Sequence, residues 1–111
     1  MLAQFTVHPL GETHFSKDVA QMMKILDEAG VEYCLGPMST GVEGNWKDVM
    51  SAIHRCHEAM LEQNPRVVTT ITIDDRKEQP HHLDEVVSIV EKQLGHTARQ
   101  IGLRRRVSDI Q

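Results

Sequence analysis

The nine residues Arg66-Val67-Val68-Thr69-Thr70-Ile71-Thr72-Ile73-Asp74 constrain the fold more than any other stretch of the chain. Seven of the nine are β-branched, side chains that lose rotamer freedom in a helix and pack well on a pleated surface. The stretch therefore reads as a strand, and alternation splits it into two faces. Val67, Thr69, Ile71 and Ile73 form an apolar face suited to a core. Val68, Thr70, Thr72 and Asp74 form a half-polar face, suited to water or to a second sheet with hydroxyls paired across the contact.

The rest of the chain supplies partners for this strand. Residues 2–8, LAQFTVH, alternate in the same way, with Ala3, Phe5 and Val7 opposed to Leu2, Gln4, Thr6 and His8, and Pro9 and Gly11 end the pattern. Ser16 can cap a helix whose apolar positions Val19, Met22, Met23, Leu26 and Ala29 fall on one stripe, with Gly30 closing it. VEYCLGPM at 31–38 predicts a second strand and TGVEG at 40–44 a short third one. Asn45 is a suitable N-cap, with Asp48 near the positive helix end. The helix it opens runs to about Gln63, with Trp46, Val49, Met50, Ile53, His57 and Met60 at helical spacing and Trp46 as a core anchor. Asn64-Pro65 stops it. A polar turn after the 66–74 strand leads to a third helix over Leu83–Leu94, with Leu83, Val86, Val87 and Val90 inward. The order β-α-β-β-α-β plus a C-terminal helix predicts an α+β, ferredoxin-like sandwich: a four-stranded antiparallel sheet with helices on one face.

A chain of 111 residues suits one core. The expected division is a ferredoxin-like domain over 1–94 and a basic C-terminal extension over 95–111. That extension holds Arg99, Arg104, Arg105 and Arg106 against Asp109, a balance of +3, so the formal charge of −4 leaves −7 on the body. A net-negative body argues against nucleic acid as partner, because phosphate affinity needs a basic surface. No apolar run is long enough to span a bilayer and no leader pattern opens the chain, so a cytoplasmic location without membrane contact is expected. The cysteines, Cys34 and Cys56, show no CxxC spacing and are expected to be reduced.

Three kinds of chemistry find no residues to carry them. His54, Cys56 and His57 lie on one helix, but only His54 and His57 share a face, and no second cluster completes a zinc set. Neither thiol is marked as activated. GVEG lacks the spacing and the lysine of a phosphate loop. The expectation is a protein that is not an enzyme and holds no metal or resident cofactor.

The segment GPMSTGVEGNW at 36–46 invites closer attention. Its glycines serve a turn or a close backbone approach to a ligand, and the residues alone leave both open. The wider pattern does more. Tyr33-Cys34-Leu35-Gly36-Pro37-Met38-Ser39-Thr40, then Val42-Glu43-Gly44, then Arg66 through Arg76 (RVVTTITIDDR) resemble the signature of the small thiamine-binding protein family. These are single ferredoxin-like domains related to YkoF-type thiamine-binding proteins, and the resemblance spans residues 3–94. It implies a homo-oligomer, commonly a tetramer built as a dimer of dimers, that binds thiamine or its hydroxymethylpyrimidine moiety at subunit interfaces without altering it. Ser39, Trp46 and the extension past residue 95 depart from the family pattern.

Thiamine presents a thiazolium cation, an aminopyrimidine edge and a hydroxyethyl tail. A site for it needs a carboxylate, an apolar or aromatic wall and a few hydroxyl or backbone groups. On that reasoning Glu43 pairs with the cation or the amine, Ser39 and Thr40 supply hydroxyls, and Met38 supplies a soft wall. Thr6 and His8 on the first strand, with Thr70 and Thr72 on the last, are expected to converge on an inter-subunit cavity. The expected role is that of a carrier, buffer or sensor. The competing reading is a ferredoxin-like oligomeric module, regulatory or structural, that binds another small metabolite or none.

Overall fold

The computed structural model of the chain describes residues 1–11, 16–77 and 83–97. The elements follow the predicted order: β1 (Leu2–Pro9), α1 (Ser16–Ala29), β2 (Glu32–Leu35), β3 (Thr40–Glu43), α2 (Trp46–Gln63), β4 (Val67–Asp74) and α3 (Leu83–Leu94). The four strands form one antiparallel sheet in the order β2-β3-β1-β4. This is the ferredoxin-like arrangement, with the two longest strands side by side.

Register explains the faces. Ala3 pairs with Ile73 and Val42, and Phe5 pairs with Ile71 and Thr40, so the apolar positions of three strands line up beneath the helices. The buried core joins Ala3, Phe5 and Val7 to Met22 and Leu26 of α1, Val42 of β3, and Val49, Ala52, Ile53, Cys56 and Met60 of α2. With few aromatics in the chain, these aliphatic and sulfur side chains carry the burial, at about 1.5–3 kcal/mol for each large one. The other face shows Gln4, His8, Thr70 and Thr72 exposed. There Thr6 pairs directly with Thr70, and Gln4 with Thr72.

The N-cap of α2 is as its residues dictate. Asn45 Oδ1 accepts from the Asp48 N–H at 2.8 Å, while Asn45 Nδ2 donates to the Asp48 carboxylate at 2.9 Å. This satisfies one of the orphan donors at the start of α2 and sets an acid against its positive end. His57, half-buried on the inner side of α2, bonds through Nδ1 to Thr69 Oγ1 of β4 at 2.6 Å.

The structure corrects three expectations. Trp46 is 57% exposed rather than a core anchor. It is the first residue of α2, where side chains lean past the helix end, and Val49, fully buried one turn later, takes the core position. Val90 is exposed along with Ile89 and Leu94, because periodicity gives α3 an apolar stripe without determining what covers it. The side chains of Leu83 and Val86, and the tail beyond residue 97, lie outside the described residues. Finally, the second strand ends at Leu35 instead of running to residue 38, since Pro37 has no N–H for a ladder.

Candidate ligand cavity at the sheet corner

A mismatch of strand lengths creates the candidate site. β1 and β4 each have eight residues and pair along their whole length, from Leu2↔Asp74 to Pro9↔Val67. β3 has four, and its pairing with β1 stops at Phe5↔Thr40. Past Phe5, β1 therefore loses its neighbour on that side. In place of a longer ladder the chain folds a tight turn over Gly36–Ser39, closed by the Gly36 N–H donating to the Ser39 carbonyl at 2.9 Å. Gly36 is needed there, since a Cβ would lie 2.8 Å from the Ser39 carbonyl oxygen.

The gap between this turn, the second half of β1 and the inner side of α1 is a cavity of about 570 Å³, within the usual range for small-molecule sites. Phe5, Val7, Val19, Met22, Leu35 and Pro37 give it apolar walls, Gly36 a bare backbone, and Thr6, His8, Ser39 and Thr40 a few polar groups, with Met38 also in its lining. Aspartate, glutamate, lysine and arginine are absent from these described lining residues. A second depression of similar volume lies between α2 and β4. Two of its polar groups, His57 and Thr69, bond to each other, and His54 bonds to Glu58 at 3.2 Å.

Of the eight residues singled out in the sequence, Thr6, His8, Met38, Ser39 and Thr40 line the corner cavity. Thr40 is buried against the core beside Phe5. Ser39 sits on the opposite face of the sheet, where its hydroxyl donates to Gln4 Oε1 at 3.1 Å. Met38, at the tip of the turn, is 86% exposed. Glu43 lies elsewhere. Three residues from Thr40, it faces the other side of the sheet, at the far end of β3, opposite Glu32 of β2 and Leu2 of β1. Thr70 and Thr72 stay on the exposed face of β4, outside the cavity lining. The apolar walls escaped the sequence reading, which searched for polar ligand groups. The signal was present nonetheless: a seven-residue strand pattern at 2–8 beside a five-residue one at 40–44 implies an unpaired strand end.

Among the described residues two titratable groups outside the cavity are shifted, and both serve packing. Burial pushes the Cys56 thiol up to about 11, so it stays protonated and inert near neutral pH; it lies 3.7 Å from the Met22 carbonyl. The Tyr33 hydroxyl donates to Asp27 at 2.7 Å, a bond that raises its pKa and ties β2 to α1. Among the described residues no group of three His, Cys, Asp or Glu could hold a metal ion, and no helix is long and apolar enough to cross a membrane.

Comparison with known proteins shows what the chain is similar to. A family model described as "Thiamine-binding protein" matches residues 3–91. The chain is 37% identical over 100 residues to the UPF0045 protein YqgV of Bacillus subtilis, covering 84% of this chain and 96% of that protein. Among solved structures it resembles a hypothetical protein of Methanocaldococcus jannaschii, with a TM-score of 0.76 at 23% identity over 82% of this chain and 95% of that one. It also resembles a Thermotoga maritima protein provisionally described as a thiamine biosynthesis/salvage protein, with a TM-score of 0.69 at 22% identity over 80% and 96%. At these identities the solved structures establish the fold, while the family model spans the sheet, α1, α2 and most of α3. The chain belongs to the thiamine-binding protein family.

Proposed function

We propose that this protein binds thiamine or its hydroxymethylpyrimidine moiety in the corner cavity, without altering it, as a cytoplasmic carrier, buffer or sensor. The observation that carries the reading is the cavity itself. It has the volume of a small-molecule site, apolar walls that suit a flat heteroaromatic ring, and hydroxyl and backbone groups for its polar edge. Family membership and the description of the Thermotoga relative support the choice of ligand. Binding without chemistry fits Cys56, which is buried and protonated, and His57, which is bonded to a threonine.

The protein is proposed to act as a homo-oligomer, a tetramer of paired dimers. The sheet face bearing Thr70 and Thr72 and the outer edge of β4 are the surfaces offered for that assembly. A stacked or extended sheet would bury the β-branched residues that β4 now exposes, Val68 among them. The residues Glu43, Thr70 and Thr72 then belong to the interface side of the proposal, and Thr6, His8, Met38, Ser39 and Thr40 to the cavity side.

Calorimetric titration of the full chain with thiamine and with the hydroxymethylpyrimidine tests the reading. Saturable binding is expected, weakened by Met38→Ala, which removes an exposed wall and leaves the core intact. Loss of that contact should cost up to about tenfold in affinity, the equivalent of 1.4 kcal/mol. Absence of heat for both compounds at about 1 mM, the concentration that would reveal even a −4.1 kcal/mol interaction, would refute it.

A further inference from the structure

The unpaired end of β1 has a definite polarity that follows from two backbone hydrogen bonds. The Leu10 N–H donates to the Arg66 carbonyl at 3.1 Å, continuing the β1–β4 register. In an antiparallel ladder the N–H and C=O of one residue point to the same side, and successive residues alternate sides. The even-numbered residues of β1 therefore direct their backbone groups to β4, and the odd-numbered ones to β3. A bond on the other side agrees: the Gly44 N–H donates to the carbonyl of Met1, an odd-numbered residue.

Val7 is odd-numbered and lies beyond the last β1–β3 pair. Continuing that register would set Met38 across from it, but Met38 is in the turn and 86% exposed. The Val7 N–H and C=O thus face the place a strand has vacated, and Val7 lines the cavity there. Among the described residues no turn or loop backbone group bonds to either, and the β1–β3 ladder ends before them. Yet Val7 is only 6% exposed, and a buried donor and acceptor left unpaired are costly. The described lining is mostly apolar and holds no carboxylate, so among the described residues nothing there favours a cation over a neutral ring.

On the thiamine reading given above, we propose that the aminopyrimidine, rather than the thiazolium, enters the corner cavity and pairs edge-on with the Val7 backbone. The ring nitrogen next to the amino group accepts from the Val7 N–H, and the exocyclic amine donates to the Val7 carbonyl. The ligand completes the sheet as a strand would, in the manner of strand addition to an open edge. Specificity then resides in the donor–acceptor order of the Val7 backbone.

The 4-oxo analogue of thiamine inverts that order while keeping the size and the cation. It sets a ring N–H against the Val7 N–H and a carbonyl against the Val7 carbonyl. Titrations of the full-length protein with thiamine, the hydroxymethylpyrimidine, the 4-oxo analogue and the isolated thiazole alcohol should show the first two binding. The analogue should bind at least tenfold more weakly than thiamine, and the thiazole alcohol should not bind. In ¹⁵N-labelled protein the Val7 amide should shift and gain protection from exchange on addition of the pyrimidine. Equal affinity for thiamine and its 4-oxo analogue, or an unmoved Val7 amide at saturation, would overturn this inference and leave the thiamine function standing. Binding of the thiazole alcohol in place of the pyrimidine would likewise overturn it. Failure of all four compounds to bind would remove both the inference and the function it rests on.

Discussion

Gly36 shows how a single residue shapes the site. Its amide closes the β2–β3 turn, and a side chain there would press on the Ser39 carbonyl at 2.8 Å. Gly36→Ala should shift the turn, cost about 1–3 kcal/mol of stability and weaken ligand binding. Chemical denaturation and titration of the same variant would check both. Cys56 makes a different kind of prediction. Its thiol is raised from 9.0 to about 11 by burial, so between those values the unfolded chain loses a proton that the folded chain keeps. Stability linked to this group is complete below about pH 9 and falls as pH rises toward 11. Unfolding free energies measured across that window should decline less steeply for Cys56→Ala than for the wild type.

At the scale of the elements, α2 is the best-specified segment. Asn45→Ala should remove its side-chain cap and cost about 1 kcal/mol, read as a drop in the denaturation midpoint with an unchanged slope. This helix was legible because its stop signal, cap and apolar stripe all agree. The strands at 2–8 and 66–74 were legible for the same reason, their period of two being unbroken. Trp46 and Val90 were misread because periodicity names a stripe but not the neighbour that covers it. One lies at a helix end, where the stripe overshoots the sheet, and the other on a helix whose apolar residues Ile89, Val90 and Leu94 remain exposed. The candidate cavity was half legible. A search for polar groups finds Thr6, His8, Ser39 and Thr40, yet the cavity is made by a missing length of β3, and only the register shows that. Glu43 was placed with Thr40 because they are close in sequence. A strand turns residues three apart to opposite faces.

For the molecule as a whole, the sheet divides the labour. One face, roofed by α1 and α2, holds the core. The other, with Thr70 and Thr72 exposed, faces away from it, and the cavity opens at the corner where β1 outruns β3. On the assembly proposed, sedimentation at micromolar concentration should find a species larger than one chain, and a monomer under those conditions would contradict assembly through that face. The central claim, that a thiamine pyrimidine sits in this corner, is most directly tested with the methionines as reporters. Met22 and Met38 line the cavity, whereas Met60 is wholly buried in the core outside its lining. In methyl-labelled protein saturated with thiamine, the Met22 and Met38 methyl resonances should shift and show contacts to the pyrimidine methyl group, with Met60 unchanged. Thiamine bound at saturation with Met22 and Met38 unmoved would contradict the account.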